Sequence, residues 1–223
     1  MSFLNQLKAQ ANAVQAAKSV AQTQAQIEAQ ARLERTETAC NTTWTYLSEM
    51  AHQLNILAPD GPKFSVDGKT PWPSMKLVDF RVDFRKKTLS NRELFSSMGI
   101  GWEVVPSQGK LGSGRVTVNF LPELKKVEAR LAAGNIEHQR FQVRHAQTQS
   151  IQAITFEYRT QAHASISVKP DHDLGELSFR FSNVSGLAVQ IASWSADLIQ
   201  ESFLDELAKL VMSRPSRLFP TPD

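Results

Sequence analysis

One cysteine, Cys40, stands in a chain of 223 residues, so an intrachain disulfide and a zinc site built on cysteines are both excluded. Glycine and proline do not occur before Pro59 and Gly61, which removes the two strongest helix breakers from everything upstream. No run approaches the roughly 20 apolar residues that a membrane-spanning helix needs. The opening MSFLNQLKAQ lacks the apolar centre of a secretory signal, and residues 1–27 hold no arginine, unlike a transit peptide. The expectation is a cytoplasmic protein without a membrane span. Neither sign of charge dominates: 25 Lys+Arg meet 22 Asp+Glu, for a net charge of +3. The bases gather only at Arg85, Lys86 and Lys87 and at Arg140 and Arg144, which gives no strong nucleic-acid signal.

Catalytic and ligand-holding signatures are missing as well. The histidines His52, His138, His145, His163 and His172 fall into no metal-ligand spacing. Asp171, His172 and Asp173 form the best local cluster, but they sit between Pro170 and Gly175, where a hairpin turn calls for such residues. GKLGSGR (109–115) has glycines and bases without the order of a phosphate-binding loop, and Ser113 lacks the surroundings of a nucleophile elbow. Cys40 lies on an apolar helical stripe and reads as a small buried hydrophobe. No catalytic residue, metal or cofactor is expected, although catalytic groups assembled from distant strands leave no local signature.

What is present begins with a long helix. Residues 6–31 are mostly Ala and Gln, which lose little on entering a helix. Leu33, Cys40, Trp44, Leu47, Ala51 and Leu54 then share one stripe and are expected to pack on a core. Leu7 and Val14 share a face that Val20 and Ile27 do not, so the first part has no continuous seam. It reads as an arm, residues 1–32, that is either frayed in the monomer or ordered by a protein partner or a second copy, with Leu7, Val14, Val20 and Ile27 as contact residues.

From Pro62 the period changes to two. Alternation marks strands at 63–68, 75–84, 100–105, 115–120, 138–145, 154–160, 163–169, 176–182 and 186–192, joined by turn-forming segments. Their apolar faces include Val78, Phe80, Val82 and Phe84, and also Leu187, Val189 and Ile191. The opposite faces carry charge, as in Asp79, Arg81, Asp83 and Arg85, which reads as the wet side of an antiparallel sheet. Three helices are expected: a short one at SNRELFSSM, where Ser90 and Glu93 occupy capping-box positions; one at 122–134 between Pro122 and Gly134; and one opening at a Ser195 cap, with Ile199, Phe203, Leu207 and Leu210 on its stripe.

The fold class is therefore α+β: a mainly antiparallel twisted sheet, covered on one face by an N-terminal helix and a C-terminal amphipathic helix. This arrangement is similar to that of helix-grip folds, a likeness of architecture that carries no function. The domains are a 1–32 Ala/Gln-rich arm, a single α+β domain at 33–212 and an extended tail at 213–223, whose Leu218 and Phe219 form a second candidate partner contact. The leading expectation is a non-enzymatic interaction or assembly protein. The alternative is a small apolar ligand held between sheet and last helix, with Trp102, Tyr158 and Trp194 as lining groups.

Overall fold

A computed structural model describes residues 3–89, 91–108 and 112–219; within the first helix it describes side chains at 3, 8, 10, 12, 14–16 and from 18 onward. The Leu7 side chain, Ser90, and the loop and tail residues 109–111 and 220–223 lie outside this set.

Helix α1 (Phe3–Leu57) is continuous, as the lack of Gly and Pro permits, and reaches about 82 Å at ~1.5 Å per residue. Its second half buries Thr36, Ala39, Cys40, Thr43, Leu47, Met50, Ala51 and Leu54, a single stripe linked by i+3 and i+4 steps. Two threonines are tolerated there because each hydroxyl donates to a carbonyl one turn back, Thr36 to Arg32 O at 2.9 Å and Thr43 to Ala39 O at 2.8 Å.

Eight strands follow among the described residues: β1 (Met75–Leu89), β2 (Arg92–Pro106), β3 (Ser113–Val118), β4 (His138–Arg144), β5 (Ile151–Arg159), β6 (Ala162–Asp171), β7 (Glu176–Ser182) and β8 (Val189–Ser195). All recorded pairings are antiparallel. They form two sheets, five strands in the order β1-β2-β6-β7-β8 and three in the order β3-β5-β4. The α+β class with mainly antiparallel strands is as read from the sequence, with the strands divided between two sheets. The division falls at Thr160 and Gln161, where the chain leaves β5 and enters the other sheet; Thr160 is buried and its hydroxyl donates to Gly112 O at 2.9 Å. Helix α2 (Leu121–Ala133), with Pro122 in its first turn and Gly134 at its end, buries Val127 and Leu131. Helix α3 (Glu201–Val211) buries Leu204, Leu207, Leu210 and Val211. Helix α1 lies on β1 and β2 and meets α3, whose Phe203 packs against Phe179 of β7 and Trp194 of β8, so both terminal helices cover the five-stranded sheet. Among the described residues, no helix is long and apolar enough to cross a membrane.

Several local expectations give way to tertiary pairing. SNRELFSSM is not a helix: Asn91, at φ +64°, turns the chain into β2, and residues 92–98 pair with the far half of β1. The segment 63–68 is not a strand, since Phe64 N–H bonds back to Pro62 O and the Asp67 carboxylate gathers the amides of Lys69 and Thr70 into a turn. A bulge between Val78 and Arg81, with Asp79 at φ +59°, reverses the faces of β1. Leu77 and Phe80 are buried, Val78 lies across from Leu77 on the other face, and Phe84 is 45% exposed beside Trp44 at 4.7 Å. Strand β8 is also turned over relative to the alternation: Ala192 and Trp194 face inward and Val189 and Ile191 face out. Its register is set by the pairing of Phe179 with Ala192, not by its own apolar period. Ser195 ends β8 and precedes a 3-10 turn (Ala196–Leu198) without a side-chain cap bond, and Gln200, not Ser195, precedes α3.

Candidate interaction surfaces

The root of α1 is fixed by groups brought from far along the chain. Glu37 Oε1 accepts the Phe95 backbone N–H at 3.0 Å and lies 2.7 Å from His172 Nε2, with both side chains nearly covered. A carboxylate only accepts, so the imidazole is the donor in this contact. The DHDLG turn, read from sequence as a plain hairpin turn, thus docks the β6–β7 connection onto α1. Gly175 turns the chain at φ +74°, a conformation that side chains with a Cβ rarely adopt, beside the Arg32 stem. Ala196 N–H donates to Gly175 O at 2.9 Å, tying the 3-10 turn to the same place.

Further along α1, Tyr46 O–H donates to Asp205 on α3 at 2.7 Å. Burial, then the Asp205 carboxylate, pushes the Tyr46 phenol well above its usual range. Asn55 uses both ends of its amide on the bulged strand, donating to Phe80 O at 2.9 Å and accepting from Phe80 N–H at 2.8 Å. The Arg35–Asp197 pair at 3.2 Å is exposed on both sides and contributes at most about 1 kcal/mol.

Upstream of Arg32 every described side chain of α1 is exposed, including Phe3, Val14, Val20 and Ile27. Phe3 and Val14 lie within about 20° of each other around the axis, as do Val20 and Ile27, and the two pairs are offset by about 120° at ~100° per residue. Among its described side chains the arm therefore presents two apolar spots on different faces along about 43 Å of helix.

The tail takes a different position. Phe219 stands edge-on to Phe181 at 5.1 Å and 6.3 Å from Trp194, and Leu218 packs half-buried against the same core. Two bonds to α3 hold it, Ser216 O–H to Glu206 O at 2.8 Å and Arg217 N–H to Glu206 Oε2 at 2.7 Å. Leu218 and Phe219 are thus seated on their own chain.

Trp102, Tyr158 and Trp194 occupy three separate environments. Trp102 is buried and stacked on Phe80 at 5.4 Å; Tyr158 is buried and stacked on Trp72 at 6.1 Å; Trp194 joins Phe179, Phe181, Phe203 and Phe219 under α3. The Tyr158 contact also places Trp72 at the core edge. A groove of about 620 Å³ runs between α1 and the 3-10 turn, and another of about 910 Å³ lies beside the tail; neither is lined by any of the three aromatics. Among the described residues, no group of three or more His, Cys, Asp or Glu is placed to hold a metal ion.

Sequence reasoning missed the Glu37–His172 contact, whose partners are 135 residues apart and leave no local pattern. Compared with family models, curated proteins and solved structures, the chain matches none.

Proposed function

We propose that this chain is a non-enzymatic interaction or assembly protein of the cytoplasm, and that residues 1–32 of α1 hold a partner protein. The observation that carries this reading is the contrast along one unbroken helix: a root locked to sheet, turn and α3, and a preceding stretch of about 43 Å whose described side chains are all exposed. Propensity alone holds a helix weakly in water, so an exposed Ala/Gln helix gains its order from the root on one side and from a partner along its length. The two apolar spots, about 120° apart, favour a partner that winds across the arm over one that runs straight beside it. Ala and Gln between them let that partner approach closely.

Capture of partners by the full chain, by a chain lacking residues 1–32 and by the full chain with Val20→Lys and Ile27→Lys tests the reading. Proteins held by the full chain are lost from both variants, while near-ultraviolet circular dichroism of the aromatic core is retained. Equal capture by all three would reject the arm as the binding element.

A further inference from the structure

The five-stranded sheet ends in two unlike edges. Strand β1 carries Asp79, Arg81, Asp83, Arg85, Lys86 and Lys87 and is bulged, devices that discourage strand addition. The three-stranded sheet ends in β3, with Arg115, and β4, with Arg140 and Arg144. Strand β8, VQIASWS, has no charge, no proline and no bulge. It exposes Val189 by 37% and Ile191 by 66%.

The hydrogen-bond phase of this edge follows from its flanks. Asn183 N–H donates to Ala188 O at 2.9 Å and Ala196 N–H to Gly175 O at 2.9 Å, in the same register as the β7–β8 ladder. Alternate residues of β8, namely Gln190, Ala192 and Trp194, therefore bond to β7, and the N–H and C=O groups of Val189, Ile191 and Ser193 point away from the sheet. No loop, tail or side-chain group bonds to those three among the described residues.

We infer that β8 is a self-pairing edge, on which a second copy of this chain adds its own β8 antiparallel across a two-fold axis, joining the two sheets into one. The register is set by the outward groups: Ile191 faces Ile191 of the second copy and Val189 faces its Ser193, which satisfies about six backbone groups on each copy in reciprocal pairs. The second copy is favoured over a charged partner because the isologous pairing sets Ile191 against Ile191, Gln190 against Ala192 and Val189 against Ser193, and an edge without charge meets no like charge there. The nearest like charges on the open face are Arg180 and its copy. Arg180 lies beside Ile191 on β7, so the two guanidinium-bearing strands stand three strand spacings apart, about 14 Å and beyond the ~8 Å screening length. The exposed Val189 and Ile191 side chains are covered in the same step.

Ile191→Cys in the full chain tests the register directly. Opposed Cα atoms in such a pair stand about 5.5 Å apart, within disulfide reach, and the native Cys40 is fully buried and does not compete. Under mild oxidation Ile191→Cys gives a disulfide-linked dimer at least ten-fold faster than Ser178→Cys, which sits one strand inward on the same face. Sedimentation of the full chain shows a concentration-dependent dimer that Ile191→Lys abolishes and Val143→Lys, on an edge of the other sheet, leaves intact. Equal cross-linking of the two cysteine variants would overturn the inference, as would a dimer indifferent to Ile191→Lys. An edge that binds an added extended peptide while the chain stays monomeric would overturn it too.

Discussion

Truncating one leucine and one isoleucine on the same helix separates the root of α1 from its arm. Leu47 is fully buried against the sheet, whereas Ile27, twenty residues earlier, is 58% exposed. Leu47→Ala removes a completely enclosed side chain and leaves a cavity in a close-packed layer, so it should cost about 2.7–5 kcal/mol. For a chain of this size that lowers the thermal midpoint by about 5–20 °C. Ile27→Ala removes no enclosed surface and replaces a β-branched residue by the best helix former, so stability should change by no more than about 0.5 kcal/mol, in either direction. Urea titration of dilute protein, followed by tryptophan fluorescence, reads both variants, since Trp44 sits half-buried on the root. The slope of the transition should stay the same in each, so that the midpoint reports stability alone. A loss for Ile27→Ala comparable to that for Leu47→Ala would show that the arm packs on its own domain, and the separation at Arg32 would be wrong.

Two further outcomes follow from the chemistry of single side chains. Burial, reinforced by the nearby Glu37 charge, raises the Cys40 thiol to about 12, so a maleimide at neutral pH should leave the folded protein unlabelled and react fully once denaturant is added. Burial works to raise the Asp67 carboxyl, but the amides of Thr70 and Lys69 and the hydroxyls of Thr70 and Ser65 outweigh it and bring the group down to about 2. Its folded value is thus below its unfolded one; the stabilisation is present above about pH 4 and is lost as pH falls towards about 2. Because the site is partly solvated, the amount should be under about 1 kcal/mol, measured as the acid-dependent difference between wild type and Asp67→Asn.

The parts of the fold that were legible in the sequence are those decided locally. Pro122 and Gly134 bracket α2 because the first has no N–H to lose in an opening turn and the second ends the run. Phe156, Phe179 and Phe181 alternate with polar residues and are buried, and Arg81, Arg144 and Arg180 stay in solvent. The errors occur where a partner strand overrides the local pattern. Leu94, Phe95 and Met98 suit a helix face as well as a bulged strand, and only the pairing with β1 decides between them. The bulge at Asp79 had a signal in the adjacent apolar residues Leu77 and Val78, which break the alternation one step before it. Strand β8 had a signal in Trp194, which shares a face with Ala192 and not with Ile191. The candidate surfaces were half legible: the arm announced itself by composition, but which strand would be an uncharged edge depends on strand order, and the Glu37–His172 contact depends on the whole fold.

Hydrogen exchange along α1, measured in the dilute chain and again in its partner-bound state, tests the central claim most directly. Amides from Thr36 to Leu54 should be strongly protected in both states, because opening them requires unfolding of the core. Amides upstream of Arg32 should exchange quickly in the dilute chain and become protected when the partner is bound. Arm amides protected as strongly as the root in the dilute chain, or equally unprotected in the bound state, would contradict the account.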